Sequence, residues 1–457
     1  MLYFDVISWV TNYIDNLFGL SILNTPQGVL NFISSTFLVI FGITQAYKAL
    51  YLVLGVLRRK RKFTEKPTTN RYCFIIAAKD EEKVIGNLVD SIRCLDYPKE
   101  LIDIYAVADN CTDLTASIMR SKNVHVYERL ELDEKKHRKG YALQFLFEQM
   151  KLDNVDIEKD FDGYIIVDAD NIFPNNFLKK MNNAFMDGYD AVAPYRNSKN
   201  FKSSIWAFQS GLNWCRVNIC DNRPRSFFGC CTCLTGTGFI LKSDILKDGW
   251  KWTLLTEDSE LTMNLVAENK RIMYVDDAET FDEQPNSFKM MFRQRIRWSK
   301  GGFVVFVKKW GKLLKSFLKK PNWSKYDELV STFPREFANF TVNFLYQILS
   351  LIFFLTLGGE GDGIKNFLTY IITFFVGGYV SAFVLGIIYY ICDYKKMHIS
   401  LPKALLNLLL FPFYDIFSFI FVYGGLFSKG KWKHIDHLDN IDVNQIEAEN
   451  KNIRAKN

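Results

Sequence analysis

Ile165-Ile166-Val167-Asp168-Ala169-Asp170 is a short apolar run that ends in two carboxylates one residue apart. A continuous run of β-branched residues suits a strand buried on both faces of a sheet. In an open α/β sheet, ligands collect beyond the carboxyl ends of such strands. Two acids at that place can hold a hard divalent cation that also takes diphosphate oxygens. Solvated acids explain most D-x-D pairs, so the surrounding sequence has to decide.

Upstream, Phe74-Ile75-Ile76-Ala77-Ala78 predicts a first strand. Ile85, Leu88, Val89 and Ile92 follow at helical spacing. Ile104 to Ala108 predicts a second strand, and Tyr164 to Val167 a third. This alternation predicts a parallel sheet of βαβ units. Two more strand ends carry acids. Lys79-Asp80-Glu81-Glu82 follows the first, where an N-cap with an acidic first turn would account for it. Asp109-Asn110-Cys111-Thr112-Asp113 follows the second; it suits a sharp turn, and an acid there can also accept from a base N–H.

Downstream, Lys139-Gly140 can approach a phosphate, or be a solvated loop. In Thr256-Glu257-Asp258, Asp258 is a candidate general base for a hydroxyl. In Gln294-Arg295-Ile296-Arg297-Trp298, Arg297 can fork onto a diphosphate and Trp298 offers a face to a sugar ring.

The flanks differ from this middle. Of 457 residues, 49% are hydrophobic and 40 are Phe, and the apolar residues crowd the two ends. That distribution points to a soluble domain carried by membrane segments. Gly28 to Leu57 is long enough to span a bilayer, and Arg58-Arg59-Lys60-Arg61-Lys62 behind it places the middle domain in the cytosol. Phe337 to Leu357 and Ile364 to Ile391 predict two more spans. Pro402 to Phe427 is interrupted by Pro412 and Asp415 and is read as interfacial or re-entrant. Phe288 to Lys320 is amphipathic, with Phe303, Phe306, Val307, Trp310, Leu314 and Phe317 expected on one side. Residues 1–27 lack a cleavage-site pattern and read as an amphipathic segment. The net charge of +7 sits beside apolar segments, which favours anionic lipid over nucleic acid. Nine Cys without paired C-x-x-C spacing read as reduced thiols rather than a zinc site.

In this order the motifs closely resemble the processive family 2 glycosyltransferases: cellulose, mixed-linkage glucan, chitin, hyaluronan and poly-N-acetylglucosamine synthases. The resemblance covers roughly 30–440 and rests on Ala77-Ala78-Lys79-Asp80-Glu81-Glu82, Asp109, Asp168-Ala169-Asp170, Thr256-Glu257-Asp258 and Gln294-x-x-Arg297-Trp298. It implies an α/β GT-A (Rossmann-like) cytosolic domain inserted between transmembrane and interfacial α-helices. The implied divisions are an amphipathic segment 1–27, a transmembrane helix 28–57, the GT-A domain 66–286 and interfacial helices 287–336. A channel region 337–427 and a cytosolic tail 428–457 complete them.

Carried over by position, Ala78, Glu81, Asp109, Lys139, Asp168 and Arg297 would contact the nucleotide sugar. Asp168 and Asp170 would hold Mg²⁺ or Mn²⁺. Asp258 would be the base, with Glu257 and Thr256 beside it. Gln294, Trp298, Thr237 and Gly238 would bind the acceptor. Trp432, Lys433 and His437 would gate the site, although the F-x-V-T-x-K form of cellulose synthases is absent. Phe227-Phe228-Gly229 resembles the start of F-F-C-G-T, with Cys230-Cys231 replacing its continuation.

The implied partners are a UDP-sugar donor, a growing polysaccharide and the lipid bilayer, with no nucleic acid; a homo-oligomer is left open. The implied place is the plasma membrane, multi-pass. The T-E-D form favours UDP-glucose and a β-1,4 or mixed β-1,3/β-1,4 glucan. A poly-N-acetylglucosamine, chitin or hyaluronan-type synthase, or a nonprocessive lipid-acceptor transferase, is the alternative.

Overall fold

Tyr72–Ala78 (β1) forms the middle of the sheet because both of its faces are apolar. Tyr72, Phe74 and Ile76 enter one core, and Cys73 and Ile75 the other. The other strands are Ile102–Asp109 (β2), His125–Arg129 (β3), Gly163–Asp168 (β4), Ala191–Ser198 (β5), Phe239–Lys242 (β6) and Ile272–Asp282 (β7). Their order is β3-β2-β1-β4-β6-β5-β7. The computed structural model describes residues 26–357, 363–397, 399–416, 418–428 and 445. The 1–25 part of the expected amphipathic segment, and Trp432, Lys433 and His437, lie outside them.

The sheet is mixed, which corrects the expectation of a parallel one. β1 pairs in parallel with β2 and β4, but β6 runs antiparallel to β4 and β5. With only four residues, β6 is too short to give a periodic signal in the sequence. It carries the turn Thr235–Gly238 back to the ends of β4 and β5; Gly238 donates its N–H to Ile166 O at 2.7 Å.

Two helical layers cover the sheet. Ile85–Arg93 and Phe177–Phe185 pack on one face. Lys139–Leu152 and Glu257–Ala267 pack on the other. The long helix Phe288–Lys319 lies outside the latter and inserts Val305 and Leu313 into its core. Val307, expected on its apolar side, is 78% exposed. The buried stripe follows Val305 and Leu313 instead. Lys309 and Lys312, on the basic side, pair with Glu260 and Glu268 at 2.7 and 3.0 Å.

Among the described residues, three stretches are long and apolar enough to cross a membrane: Gly28–Val56, Phe337–Thr356 and Gly363–Met397. Leu401–Asp415 and Ser418–Phe427 form a pair bent by 41°, which counts as one more span or as a re-entrant loop. Their outward apolar residues, such as Ile43, Leu355 and Ile372, are exposed. The basic cluster is only partly available to lipid. Arg58 donates to the carbonyl of Cys392, and Lys60 pairs with Asp276 and Asp277 at 3.0 and 2.6 Å.

Candidate functional site

The carboxyl ends of β1, β2 and β4 open into a cavity of about 450 Å³. Its floor is closed by the first turn of Glu257–Ala267 and by Gln294, Arg297 and Trp298 of the long helix. Ala78, Glu81, Asp109, Lys139, Asp168, Asp170, Thr256, Glu257 and Asp258 also line it. Long sequence separations thus converge because each segment follows a strand end or begins a helix directed at that edge.

The outer wall is tied together by its own acids. Asp80 Oδ1 accepts from Thr112 N at 2.7 Å, and Glu82 Oε2 from Leu114 N at 3.0 Å. The expected N-cap role for this acidic run is therefore replaced by a clasp between two loops; the helix starts at Ile85, beyond it. Asp80, Cys111 and Asp113 are near enough to one another for a metal. Their atoms are already bonded to Thr112, Ala78 and Thr115. Asp109 is held by Arg129 at 2.7 Å; burial nevertheless leaves its carboxyl above the ordinary range.

Asp168 and Asp170 leave β4 with their backbone fixed. Asp168 N donates to Thr237 Oγ1 at 2.9 Å and to Asn171 Oδ1 at 3.1 Å. Asp170 Oδ2 accepts from Glu283 N at 3.0 Å. Thr237 is fully buried beneath this turn. Gly238, at φ +71°, packs against Pro194 and Thr280. Neither lines the cavity, so their expected acceptor contacts are corrected to support beneath the Asp168 turn. Gly236 of the same turn does line it.

Lys139 begins the helix Lys139–Leu152, and its ammonium meets Asp168 Oδ1 at 2.5 Å and Gly236 O at 2.8 Å. Burial works against the charge, but Asp168 and Glu257 outweigh it and raise the lysine pKa. Gly140 serves packing: a Cβ there would sit 2.3 Å from Trp252 O.

Glu257 and Asp258 form the first turn of their helix, where the N-terminal dipole favours anions. Burial still pushes Glu257 up to about 7 and raises Asp258. Burial lowers the pKa of Arg297, which faces both acids and Asp168. Thr256 makes close contact with Gly301 of the long helix. That contact makes Thr256 a spacer that positions the two acids.

Sequence reasoning missed Arg196, Trp214 and Asp282. Arg196 Nε donates to Asp282 Oδ2 at 2.8 Å, and its guanidinium lies 4.1 Å over the Trp214 ring. Trp214 meets Trp298 edge-on at 5.7 Å. Burial pushes Asp282 up to about 6. A signal existed: β7 ends in Asp282-Glu283-Gln284, an acidic strand end like that of β4. Phe227 and Phe228 are half-exposed and do not line the cavity. All nine cysteines are free thiols.

This arrangement offers a carboxylate pair for a divalent cation, buried acids for proton removal, a guanidinium for phosphate and an indole for a ring. A family model described as "Glycosyltransferase like family 2" matches residues 69–301. The β-monoglucosyldiacylglycerol synthase of Synechocystis sp. is 24% identical over 52% of this chain and 49% of its own length. The poly-β-1,6-N-acetyl-D-glucosamine synthase of Staphylococcus epidermidis is 25% identical over 53% of this chain and 57% of its own. The chain spans about half the length of the curated relatives it matches. Among solved structures, a mannosyltransferase from Pyrobaculum calidifontis in complex with GDP-Man and Mn²⁺ superposes with a TM-score of 0.51 at 14% identity. That match covers 80% of this chain and 98% of the other, and it shows a shared GT-A fold.

Proposed function

The chain belongs to glycosyltransferase-like family 2, and on that premise we propose that it is an inverting, UDP-sugar-dependent hexosyltransferase working at a membrane face. The observation that carries this reading is the single cavity that joins Asp168 and Asp170, Asp258, Arg297 and Trp298 beside the apolar helices. The first reading of its product is a β-glucan, β-1,4 or mixed β-1,3/β-1,4, polymerised from UDP-glucose. The proposed setting is the plasma membrane with the catalytic domain in the cytosol and the chain leaving through 337–427.

Asp168 and Asp170 fit a divalent cation: both are acidic oxygen donors on a rigid turn, and the diphosphate would complete the ligand set. Bound Mg²⁺ or Mn²⁺ would neutralise charge on the leaving nucleotide. The rest of the chemistry belongs to the chain. Asp258 removes the proton from the acceptor hydroxyl. That oxygen attacks the anomeric carbon as the bond to UDP breaks, which inverts an α-linked donor to a β-linkage. Arg297 and Lys139 face the departing diphosphate and stabilise its charge. Ala78 and Glu81 border the base, Asp109 contacts it, and Trp298 orients the acceptor ring.

A second reading is a poly-N-acetylglucosamine, chitin or hyaluronan-type synthase, or a single transfer to a lipid. It is supported by the two relatives, one named for a polymer and one for a glycolipid. Purified protein in vesicles, supplied with radiolabelled UDP-glucose or UDP-N-acetylglucosamine, separates these readings. A high-molecular-weight product cut by linkage-specific glucanases supports the glucan. A product of lipid size would replace it, and absence of UDP release with any donor would remove the transferase reading.

A further inference from the structure

Two arginines of the long helix, two positions apart, face opposite ways. Arg297 lines the donor chamber together with Trp298. The helical repeat turns Arg295 about 200° away from Arg297. Arg295 does not line the donor chamber; with Tyr414 it lines a second space of about 360 Å³ behind Trp298.

Arg295 is held there by rings rather than by acids. Its Nε and Nη2 are shielded from water and meet no hydrogen-bond acceptor among the described residues. Its guanidinium lies 4.8 Å from the centroid of the Trp298 ring and 5.3 Å from that of Tyr414. An apolar side chain would fill such a place at less cost than a cation with unpaired donors. What arginine adds is a planar cation that stacks on aromatic faces.

The stack continues beyond Trp298. Trp298 meets Trp214 at 5.7 Å, Arg196 lies 4.1 Å over Trp214, and Arg196 is bonded to Asp282 on β7. The Trp298 ring thus has two supports, one tied to the sheet and one to the apolar helices. Tyr414 belongs to the first limb of the bent pair. The second limb packs against the same turns of the long helix: a Cβ at Gly425 would sit 2.8 Å from Ser299 Cβ and 2.9 Å from Lys300 N. That close approach holds the bent pair, and with it Tyr414, beside Arg295.

We propose that Arg295 is a positioning residue that clamps the Trp298 ring, with Tyr414 as its backstop, and so sets the face that Trp298 presents to the acceptor. The proposal rests on the reading of Trp298 as the residue that orients the acceptor ring. Arg295 itself touches no substrate. When the ring is released, the acceptor hydroxyl no longer meets the anomeric carbon. Water then takes its place: the bond to UDP breaks and free hexose leaves.

The test uses the full chain in membrane vesicles, supplied in separate reactions with radiolabelled UDP-glucose and UDP-N-acetylglucosamine. Three quantities are read: UDP affinity, the ratio of free hexose to transferred sugar, and the near-UV circular-dichroism band of Trp298. The band is the difference between the unaltered protein and Trp298→Phe, measured in detergent without substrate. Arg295→Met should raise the ratio about fivefold or more and lose most of the band. Arg295→Lys, which keeps a cation, should do less. Tyr414→Leu should act like Arg295→Met, while Tyr414→Phe, which keeps the ring, should change neither reading by more than about twofold. UDP affinity within about twofold of the parent shows that each variant folds. An unchanged ratio in Arg295→Met would overturn the proposal. So would transfer and UDP release falling in equal proportion with the band intact, or a Tyr414→Phe effect as large as that of Tyr414→Leu. If the unaltered protein turns over neither donor, the transferase reading fails, and the band alone decides whether Arg295 clamps the ring.

Discussion

The hydroxyl of Tyr195 donates a 2.9 Å hydrogen bond to Asp393, joining β5 to the end of an apolar helix. Asp393 also accepts from Arg223 at 2.6 Å, and Arg223 reaches Asp276 on β7 at the same distance. The residue after Tyr195 is Arg196, which lines the donor cavity. One buried network therefore fixes that apolar helix against the strands that shape the cavity. Removing one member leaves an uncompensated buried charge. We predict that Asp393→Ala costs about 3–5 kcal/mol of stability in unfolding of the detergent-solubilised protein. Burial alone would raise the pKa of Asp276, but Lys396, Arg223 and Lys60 hold it well below the ordinary carboxylate range. Its stabilising contribution is thus present above that range and lost as pH falls below it.

With Asp258 as the proposed base, the paired acids should make the reaction pH-dependent. Burial raises both Glu257, to about 7, and Asp258. A base must be deprotonated, so turnover should rise with pH along an acid limb above the ordinary aspartate value. Asp258→Asn should lower kcat roughly 10²-fold or more while UDP still binds. Glu257→Gln removes a neighbouring negative charge and should move the acid limb to lower pH. A limb that stays in place would separate the two acids electrostatically.

The same raised value has a stability consequence. Glu257 is more easily ionised when unfolded, so the folded state loses stability as pH rises from the ordinary glutamate value through about 7. Melting temperatures of the Glu257→Gln variant should therefore gain on those of the parent between pH 5 and pH 8. A constant difference across that range would contradict the buried, ionising role.

Gly301 sets the distance between the long helix and the turn that carries Glu257 and Asp258. A Cβ there would come within 2.2 Å of Thr256 Cγ2, far inside van der Waals contact. Gly301→Val should displace Glu257 and Asp258 and reduce kcat at least tenfold, since small displacements of reacting groups are costly. Steady-state kinetics beside a circular-dichroism control of folding would check this; unchanged kcat would show that the helix yields.

Trp214 contacts Arg196 and Trp298, the latter proposed to orient the acceptor. Trp214→Ala should raise the acceptor KM several-fold and leave UDP affinity nearly unchanged. A comparable loss of UDP affinity would place Trp214 in the donor site instead.

Asp170, in the proposed cation site, is held by Glu283 N. Chelation should abolish turnover, and Mn²⁺ or Mg²⁺ should restore it. Asp170→Asn should then raise the metal concentration needed for half-maximal turnover by about tenfold or more. Full activity in excess chelator would exclude the metal reading.

The sequence determined which strand ends present acids to the cavity. Apolar runs such as Ile165–Val167 have to be buried, and polar residues directly after them must leave the sheet at its edge. That reasoning located Asp109, Asp168 and Asp170 and the acidic turn at Glu257 without reference to packing. Tertiary structure decided what one-dimensional patterns cannot carry. Short β6 reversed the sheet direction and turned Thr237 and Gly238 into supports. It also decided that Asp80 would clasp a loop, that Val307 would face outward, and that Arg196, Trp214 and Arg295 would meet around Trp298. Burial and orientation depend on partners that only folding brings together, as with Asp168 and Thr237 or Asp80 and Thr112. The order of residues specifies the donors and acceptors; only the folded chain specifies which of them remain unpaired.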